Sequence, residues 1–312
     1  MFESALGGYR SFGHQFALAT LKRRVTATRE RNDFVTIPTI EGRSGFTVPA
    51  IGLGTYSLDG NAGTDAMIKA IGLGYRLLDS AFNYENEGAV GAAVRRSSVA
   101  RDELLVTSKL PGRHHRYADA ITTIEESVLR TGLDYLDIYL IHWPNPLEDH
   151  YVEAWRALIE SRDRGLVRYI GVSNFLPEHL ERLREETGEL PALNQIELHP
   201  YFPQTEQLAY HAANGIVTES WSPLGRGTDL LSNPVIAAVA AEHDVTPAQA
   251  ILAWHVRVGA LPIPKSKSLE RQRENLDIFE VALTDEDMER IGSLARPDGR
   301  VANQDPSVYQ EF

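Results

Sequence analysis

From Phe34 onward, short apolar runs alternate with longer stretches whose apolar residues recur at helical spacing. The apolar runs lie near 50–53, 75–79, 104–109, 136–142, 167–172, 193–197, 216–220 and 260–264, eight in all. Helical patterns fall near 62–72, 86–96, 117–131, 149–164, 177–187 and 204–214, then near 233–241, 246–257, 268–276 and 284–294. Several helix starts have a mechanism behind them. Ser268 stands before Leu269-Glu270-Arg271, and Thr284-Asp285-Glu286-Asp287 offers a hydroxyl cap with acid in the first turn. Thr246-Pro247 sets proline where a first helical turn tolerates it.

Strict strand–helix alternation predicts a parallel sheet covered by helices. Eight such units in about 280 residues is the count and size of a closed (β/α)₈ TIM barrel. A doubly wound open sheet is the rival, and its dinucleotide fingerprint is missing. Gly52-Leu53-Gly54 is followed by Thr55, Tyr56 and Ser57, and Gly72-Leu73-Gly74 by Tyr75, Arg76 and Leu77. The phosphate-binding lysine loop of nucleotide hydrolases is also missing. Ahead of the first barrel strand, Val35–Pro38 and Thr47–Pro49 flank Gly42-Arg43-Ser44-Gly45 and predict a β-hairpin that caps the lower mouth.

Charge changes the picture in two places. The chain carries 31 Lys and Arg against 43 Asp and Glu, a net of −12, which disfavours nucleic acid and anionic membrane as partners. Residues 1–33 run the other way, with six basic residues against three acidic ones. Their early glycines predict a flexible basic arm ahead of a single domain over 34–312, with an Arg-rich targeting peptide as the alternative. Cysteine is absent, which excludes disulfides, thiolate nucleophiles and sulfur-ligated zinc, and fits a reducing cytoplasm. No apolar run approaches the roughly 20 residues of a membrane-spanning helix.

Barrel chemistry sits at the C-terminal ends of strands. Asp79 closes Tyr75-Arg76-Leu77-Leu78-Asp79, Lys109 closes the run from Leu104, and His142 closes the run from Leu136. Period-two alternation puts Asp79 on the face of Leu77, and His142 on the face of Ile138 and Leu140, toward the barrel axis. Tyr84 follows in the loop after Asp79. A lysine beside a tyrosine favours the phenolate, and a carboxylate keeps that lysine charged. A histidine nearby can orient a carbonyl by hydrogen bonding. Such a group suits carbonyl reduction with Tyr84 as proton donor and a bound cofactor as hydride source. The pair His114-His115, flanked by Arg113 and Arg116, lacks acidic partners and is expected to be an exposed loop, leaving no metal site. Tyr-x-x-x-Lys, the spacing of short-chain dehydrogenases, occurs after no tyrosine.

At these positions the sequence resembles the aldo-keto reductases. The matching motifs include Leu78-Asp79-Ser80-Ala81-Phe82-Asn83-Tyr84, Thr107-Ser108-Lys109, and Leu140-Ile141-His142-Trp143-Pro144. They continue with Gly171-Val172-Ser173-Asn174-Phe175, Asn194-Gln195-Ile196-Glu197, Trp221-Ser222-Pro223-Leu224-Gly225 and Ile263-Pro264-Lys265-Ser266. The order is the family's from Phe34 nearly to the end, and the pattern is most like bacterial 2,5-diketo-gluconate reductase-type members. The resemblance implies Tyr84 as general acid, Lys109 as its partner, Asp79 as partner of Lys109, and His142 as orienting donor. It implies NADPH as cofactor. Ser173, Asn174 and Gln195 would meet the nicotinamide amide, and Trp221 would stack on its ring. Ser222, Leu224 and Gly225 would lie around the pyrophosphate, and Thr55, Tyr56 and Asp79 beside the cofactor.

Lys265, Ser266, Lys267, Ser268, Arg271 and Asn275 form a cationic turn suited to the 2′-phosphate. Tyr56, Tyr84, His142 and Trp143, with the segment 300–312, would line the pocket of a small carbonyl substrate. The expected assembly is a monomer. Two departures stand out. Glu85 replaces the glycine usual after the tyrosine, and Lys267 occupies a place commonly apolar. A cofactor-binding regulatory subunit with little turnover is the alternative of another class, which the intact quartet Tyr84, Lys109, Asp79 and His142 disfavours.

Overall fold

The computed structural model of the protein describes residues 37–312. The basic arm expected over 1–33, and Val35 with Thr36, lie outside the described residues. The first hairpin strand, expected over Val35–Pro38, is instead β1 (Thr39–Glu41), paired antiparallel with β2 (Thr47–Pro49). Ile37 and Pro38 precede it without strand structure. Proline has no N–H to give to a ladder, and Pro38 contributes only its carbonyl, which accepts from Ala50 N–H at 2.7 Å.

Eight parallel strands follow: β3 (Leu53–Gly54), β4 (Leu77–Asp79), β5 (Leu105–Leu110), β6 (Leu136–Ile141), β7 (Val167–Ser173), β8 (Leu193–Glu197), β9 (Val217–Trp221) and β10 (Leu261–Pro262). Each pairs with the next in chain order. The ring closes between β3 and the β10 segment, where Gly52 N–H donates to the Pro262 carbonyl at 3.1 Å and Gly54 N–H to the Pro264 carbonyl at 3.2 Å. The two prolines can only accept there, so all donors at this seam come from the glycines. A side chain has no room on that strand either. A Cβ on Gly54 would stand 2.8 Å from the Ile263 carbonyl oxygen.

Among the described residues ten helices accompany the strands: α1 (Gly60–Leu73), α2 (Glu87–Arg96), α3 (Tyr117–Thr131), α4 (Tyr151–Asp163), α5 (Pro177–Thr187), α6 (Thr205–Asn214), α7 (Pro234–Glu242), α8 (Pro247–Arg257), α9 (Leu269–Leu276) and α10 (Asp285–Gly292). Helices α7 and α8 both lie between β9 and β10. The expected caps are in place. Thr246 accepts from Gln249 N–H at 3.2 Å, Ser268 from Arg271 N–H at 3.4 Å, and Thr284 from Asp287 N–H at 3.1 Å.

Inside the barrel, Leu77, Ile138, Leu140, Leu193, Val217, Leu261 and Ile263 pack with Phe46 and Val48 of the hairpin. The hairpin therefore plugs the N-terminal end, and polar chemistry is left the other mouth. Among the described residues no helix is long and apolar enough to cross a membrane.

Helix α2 touches the end of α3 so closely that only glycine fits at position 91. A Cβ there would lie 1.8 Å from the Thr131 carbonyl oxygen. Gly91→Ala is expected to destabilise the fold by about 1–3 kcal/mol, since backbone must move. The midpoint of a urea unfolding curve reads this directly.

Candidate active site

Strand alternation carries Asp79, Lys109 and Gln195 to the inner face near the C-terminal mouth, where they meet. The Lys109 Nζ lies 2.7 Å from Asp79 Oδ2, with both side chains almost completely buried. It donates a second bond to the Ser80 carbonyl at 2.7 Å. The other Asp79 oxygen accepts from Gln195 Nε2 at 2.8 Å. An ammonium has three N–H donors, and two are spent on these oxygens. The Nζ lies 5.0 Å from the centre of the Tyr84 ring, and its third donor is left for the phenol.

Two opposing effects act on each group. Burial alone would push the Lys109 ammonium down, but Asp79 and Tyr84 hold it above its ordinary value. Burial pushes the Tyr84 phenol up, and Lys109 opposes that rise without cancelling it. From the sequence alone, the lysine's pull on the phenol is the visible effect. In the folded mouth, desolvation outweighs it, and Tyr84 rests firmly protonated.

Glu219, on β9 in the register position opposite Gln195, adds a carboxyl that sequence reasoning missed. It is fully buried with neither oxygen hydrogen-bonded. Burial, reinforced by Asp79 and opposed by Lys109, pushes it up to about 8, so it is held largely uncharged at neutral pH. Its alternation with Val217 and Trp221 was the available signal.

Around the mouth the remaining expected residues take up distinct roles. His142 stands with its ring 6.0 Å from that of Tyr84, and Tyr56 lies 5.1 Å away on another side. Trp143 packs against Trp221 and, at 4.5 Å between ring centres, against Tyr309. Ser173 Oγ donates to the Gln195 carbonyl at 2.9 Å and accepts from Asn174 Nδ2 at 3.0 Å. Asn174 Oδ1 accepts from the Trp221 indole at 2.8 Å, which fixes that ring's edge. Thr55 is buried, its hydroxyl spent on the Asp79 carbonyl at 2.8 Å; it braces the strand end. Leu224 packs into the hydrophobic core, and Gly225 is buried with φ +62°.

Left-handed backbone clusters here. Glu85, Asn174 and Ser222 have φ of +54°, +63° and +49°. Glu85 is exposed and turns to solvent, so it does not oppose Lys109 from within the mouth.

The cationic turn is as the sequence places it. Lys265, Lys267 and Arg271 are exposed at the start of α9, and among the described residues none forms an ion pair. Ser266 and Asn275 are buried, and the Tyr75 phenol beneath α9 donates to the Gln272 carbonyl at 3.1 Å. The pair His114-His115 departs from expectation. His115 is buried with both ring nitrogens unpartnered, and burial pushes it down to about 4. The loop is tied to the C-terminal segment, Gly112 N–H donating to Glu311 Oε2 at 2.9 Å. Among the described residues no cluster of three or more His, Asp or Glu side chains is placed to hold a metal.

The aldo/keto reductase family profile matches residues 50–296. The chain belongs to the aldo/keto reductase family. It is 52% identical over 276 residues to 2,5-diketo-D-gluconic acid reductase B of Corynebacterium sp. (strain SHS752001), covering 88% of this chain and 99% of that protein. It is 42% identical over 274 residues to methylglyoxal reductase DkgA of Yersinia pestis, covering 87% and 97%. A solved structure of a Gox0644 variant in complex with NADPH superposes with a TM-score of 0.83 at 40% identity, over 88% of this chain and 99% of that one.

In this aldo-keto reductase, Tyr84, Lys109, Asp79 and His142 lie together at one mouth. Within the segment 300–312 expected to line the pocket, the sequence did not single out Glu311, whose Oε1 lies 2.7 Å from His142 Nδ1. Its segment has no periodicity, so nothing marked this one carboxylate out from its neighbours.

Proposed function

We propose that this aldo-keto reductase reduces small aldehydes and ketones to alcohols with NADPH, Tyr84 acting as general acid. Diketones and keto-sugars are the substrate class that its relatives' names suggest. The observation that carries the reading is the buried Lys109–Asp79 pair facing the Tyr84 ring with one N–H unspent.

The residues present fit the cofactor. Three unpaired cations beside the N–H groups opening α9 supply charge and donors for a 2′-phosphate. The Trp221 ring is fixed by Asn174 at the mouth, and Ser173, Asn174 and Gln195 form one polar ledge beside it. When bound, the cofactor supplies the hydride. The chain's own residues handle the proton. Tyr84 holds it at neutral pH because burial keeps the phenol protonated. As the carbonyl oxygen gains charge, Tyr84 Oη releases its proton to that oxygen, and the Lys109 ammonium stabilises the phenolate left behind. Asp79 and the Ser80 carbonyl keep Lys109 charged and aimed. His142 orients the carbonyl by donating to its oxygen. Tyr56, Trp143 and Tyr309 give the pocket aromatic walls suited to a small, partly apolar substrate.

The reading includes one barrel domain over 34–312 that works as a monomer in the cytoplasm. The lack of cysteine suits a reducing compartment.

Tyr84→Phe keeps the ring and removes the proton donor. It is expected to lower kcat for carbonyl reduction by about 10²-fold or more, with NADPH binding nearly unchanged by fluorescence titration. Near-normal turnover would exclude Tyr84 as the acid. Replacing Lys265 and Arg271 with neutral residues is expected to raise KM for NADPH about tenfold or more, and KM for NADH far less. Equal affinity of the unmodified enzyme for the two cofactors contradicts the 2′-phosphate assignment.

A further inference from the structure

One buried carboxyl in the barrel has no part in the proton transfer described above. Glu219 lies on β9, alternating inward with Val217, and is completely buried. Neither of its oxygens has a hydrogen-bond partner. In the ring of eight strands β9 stands four places from β5 in either direction, so Glu219 faces Lys109 from across the barrel axis. The donors near it are committed elsewhere. Lys109 Nζ gives one N–H to Asp79 and one to the Ser80 carbonyl, each at 2.7 Å, and Gln195 Nε2 gives to Asp79 at 2.8 Å. A carboxylate in a dry interior without donors is among the costliest groups a fold can hold. The form that this geometry tolerates is the uncharged acid.

We propose that Glu219 is a positioning residue for carbonyl reduction: as an uncharged acid it leaves the Lys109 ammonium to Tyr84, and once ionised it draws that charge away from the phenolate. The inference rests on the reading that Tyr84 is the general acid. The protonation of this one group sets the charge of the cluster. With Glu219 protonated, Tyr84, Lys109, Asp79 and Glu219 sum to zero, and proton release from Tyr84 leaves one net negative charge. With Glu219 ionised, the same four groups start at one negative charge and end at two, where water cannot screen them. Tyr84 is then the weaker acid, because its proton leaves against an added negative charge. The electrostatics agree with the geometry. Burial, reinforced by Asp79 and opposed by Lys109, pushes the Glu219 carboxyl from an ordinary 4.5 up to about 8.

Few charged groups face Glu219. Asp79 comes from β4 and Lys109 from β5, and these are the charges that act on it. Lys109 is held above its ordinary value and the Tyr84 phenol is pushed up, so neither loses its proton where Glu219 does. Its register partners on the flanking strands carry no charge, being Gln195 on β8 and Leu261 on β10. Beside it on β9, the Ser220 hydroxyl meets His255 Nδ1 at 3.1 Å, and His255 Nε2 meets the Pro223 carbonyl at 3.0 Å. Burial pushes that histidine down to about 3, so it is uncharged throughout the range concerned.

Glu219→Gln keeps the shape and removes the ionisation. Reduction of benzaldehyde, which has no titrating group, reads the effect as kcat/KM from about pH 7 to about pH 9. The unmodified enzyme is expected to fall by about fivefold or more across that range, and Glu219→Gln to lose most of that fall. Glu219→Leu, which continues the apolar floor of Val217, is expected to flatten the profile likewise. His142 and the cofactor are common to all three enzymes, so the comparison isolates Glu219. Unfolding gives a readout that needs no turnover. The Glu219 carboxyl is raised by folding, so the folded protein binds this proton more tightly than the unfolded chain. Stability from it is fully present below about 4.5 and is lost as pH rises to about 8. The urea midpoint of the unmodified enzyme is therefore expected to drop relative to that of Glu219→Gln over this range. Equal pH profiles of kcat/KM in the unmodified enzyme and both variants overturn the proposal, as does a midpoint difference that stays constant with pH. Failure to reduce any aldehyde at any pH would instead overturn the functional reading on which it rests.

Discussion

An ammonium and a carboxylate taken out of water together set the terms for everything else in this barrel. Lys109 is fully buried and Asp79 nearly so, at 2.7 Å. Such a pair contributes little net stability, because desolvation cancels most of its attraction, while leaving either partner alone costs about 3–5 kcal/mol. The fold therefore has to hold both in register. It does so with the Ser80 carbonyl on the lysine, Gln195 on the aspartate, and Thr55 on the aspartate backbone. Glu219 beside them is tolerated because burial keeps it largely uncharged at neutral pH. An ionised Glu219 would tip the cluster negative and oppose the phenolate that Lys109 favours.

The barrel delivers this arrangement by geometry. The β-hairpin fills the N-terminal end with Phe46 and Val48, so the interior is apolar from below and polar only near the top. Inward positions two residues apart then change from packing to chemistry within one strand. Leu77 gives way to Asp79, Leu193 to Gln195, and Val217 to Glu219. Loops supply what strands cannot aim. Tyr84 comes from a short turn whose next residue takes the left-handed backbone at Glu85, and the segment around Tyr309 and Glu311 crosses from another quarter.

Strand ends were legible in the sequence because an ionisable residue closing an apolar run has few other places to go in a barrel. Asp79, Lys109 and His142 could be read that way, and so could the helix starts at Thr246, Ser268 and Thr284. The seam strands were harder. β3 and β10 are two residues each, since Gly52, Gly54, Pro262 and Pro264 lack either side chains or donors. His115 looked exposed because it stands in a loop without acidic partners; it is buried, in a loop tied through Gly112 to Glu311, nearly 200 residues away. Glu311 was legible only as part of the pocket-lining segment 300–312, as a single carboxylate outside any periodic pattern has no face to declare. The balance on Tyr84 also escaped sequence reasoning, because desolvation depends on the closed mouth and not on which residues line it.

We propose that the Lys109–Asp79 pair is kept for chemistry on Tyr84 and not for stability. A double-mutant cycle of Lys109→Met and Asp79→Asn, read in both unfolding free energy and kcat, separates the two. Each single change should destabilise, and the double should recover much of that loss because no orphan charge remains. Turnover should stay low in all three variants. Recovery of kcat in the double variant, with no lysine to stabilise the phenolate, would contradict the account.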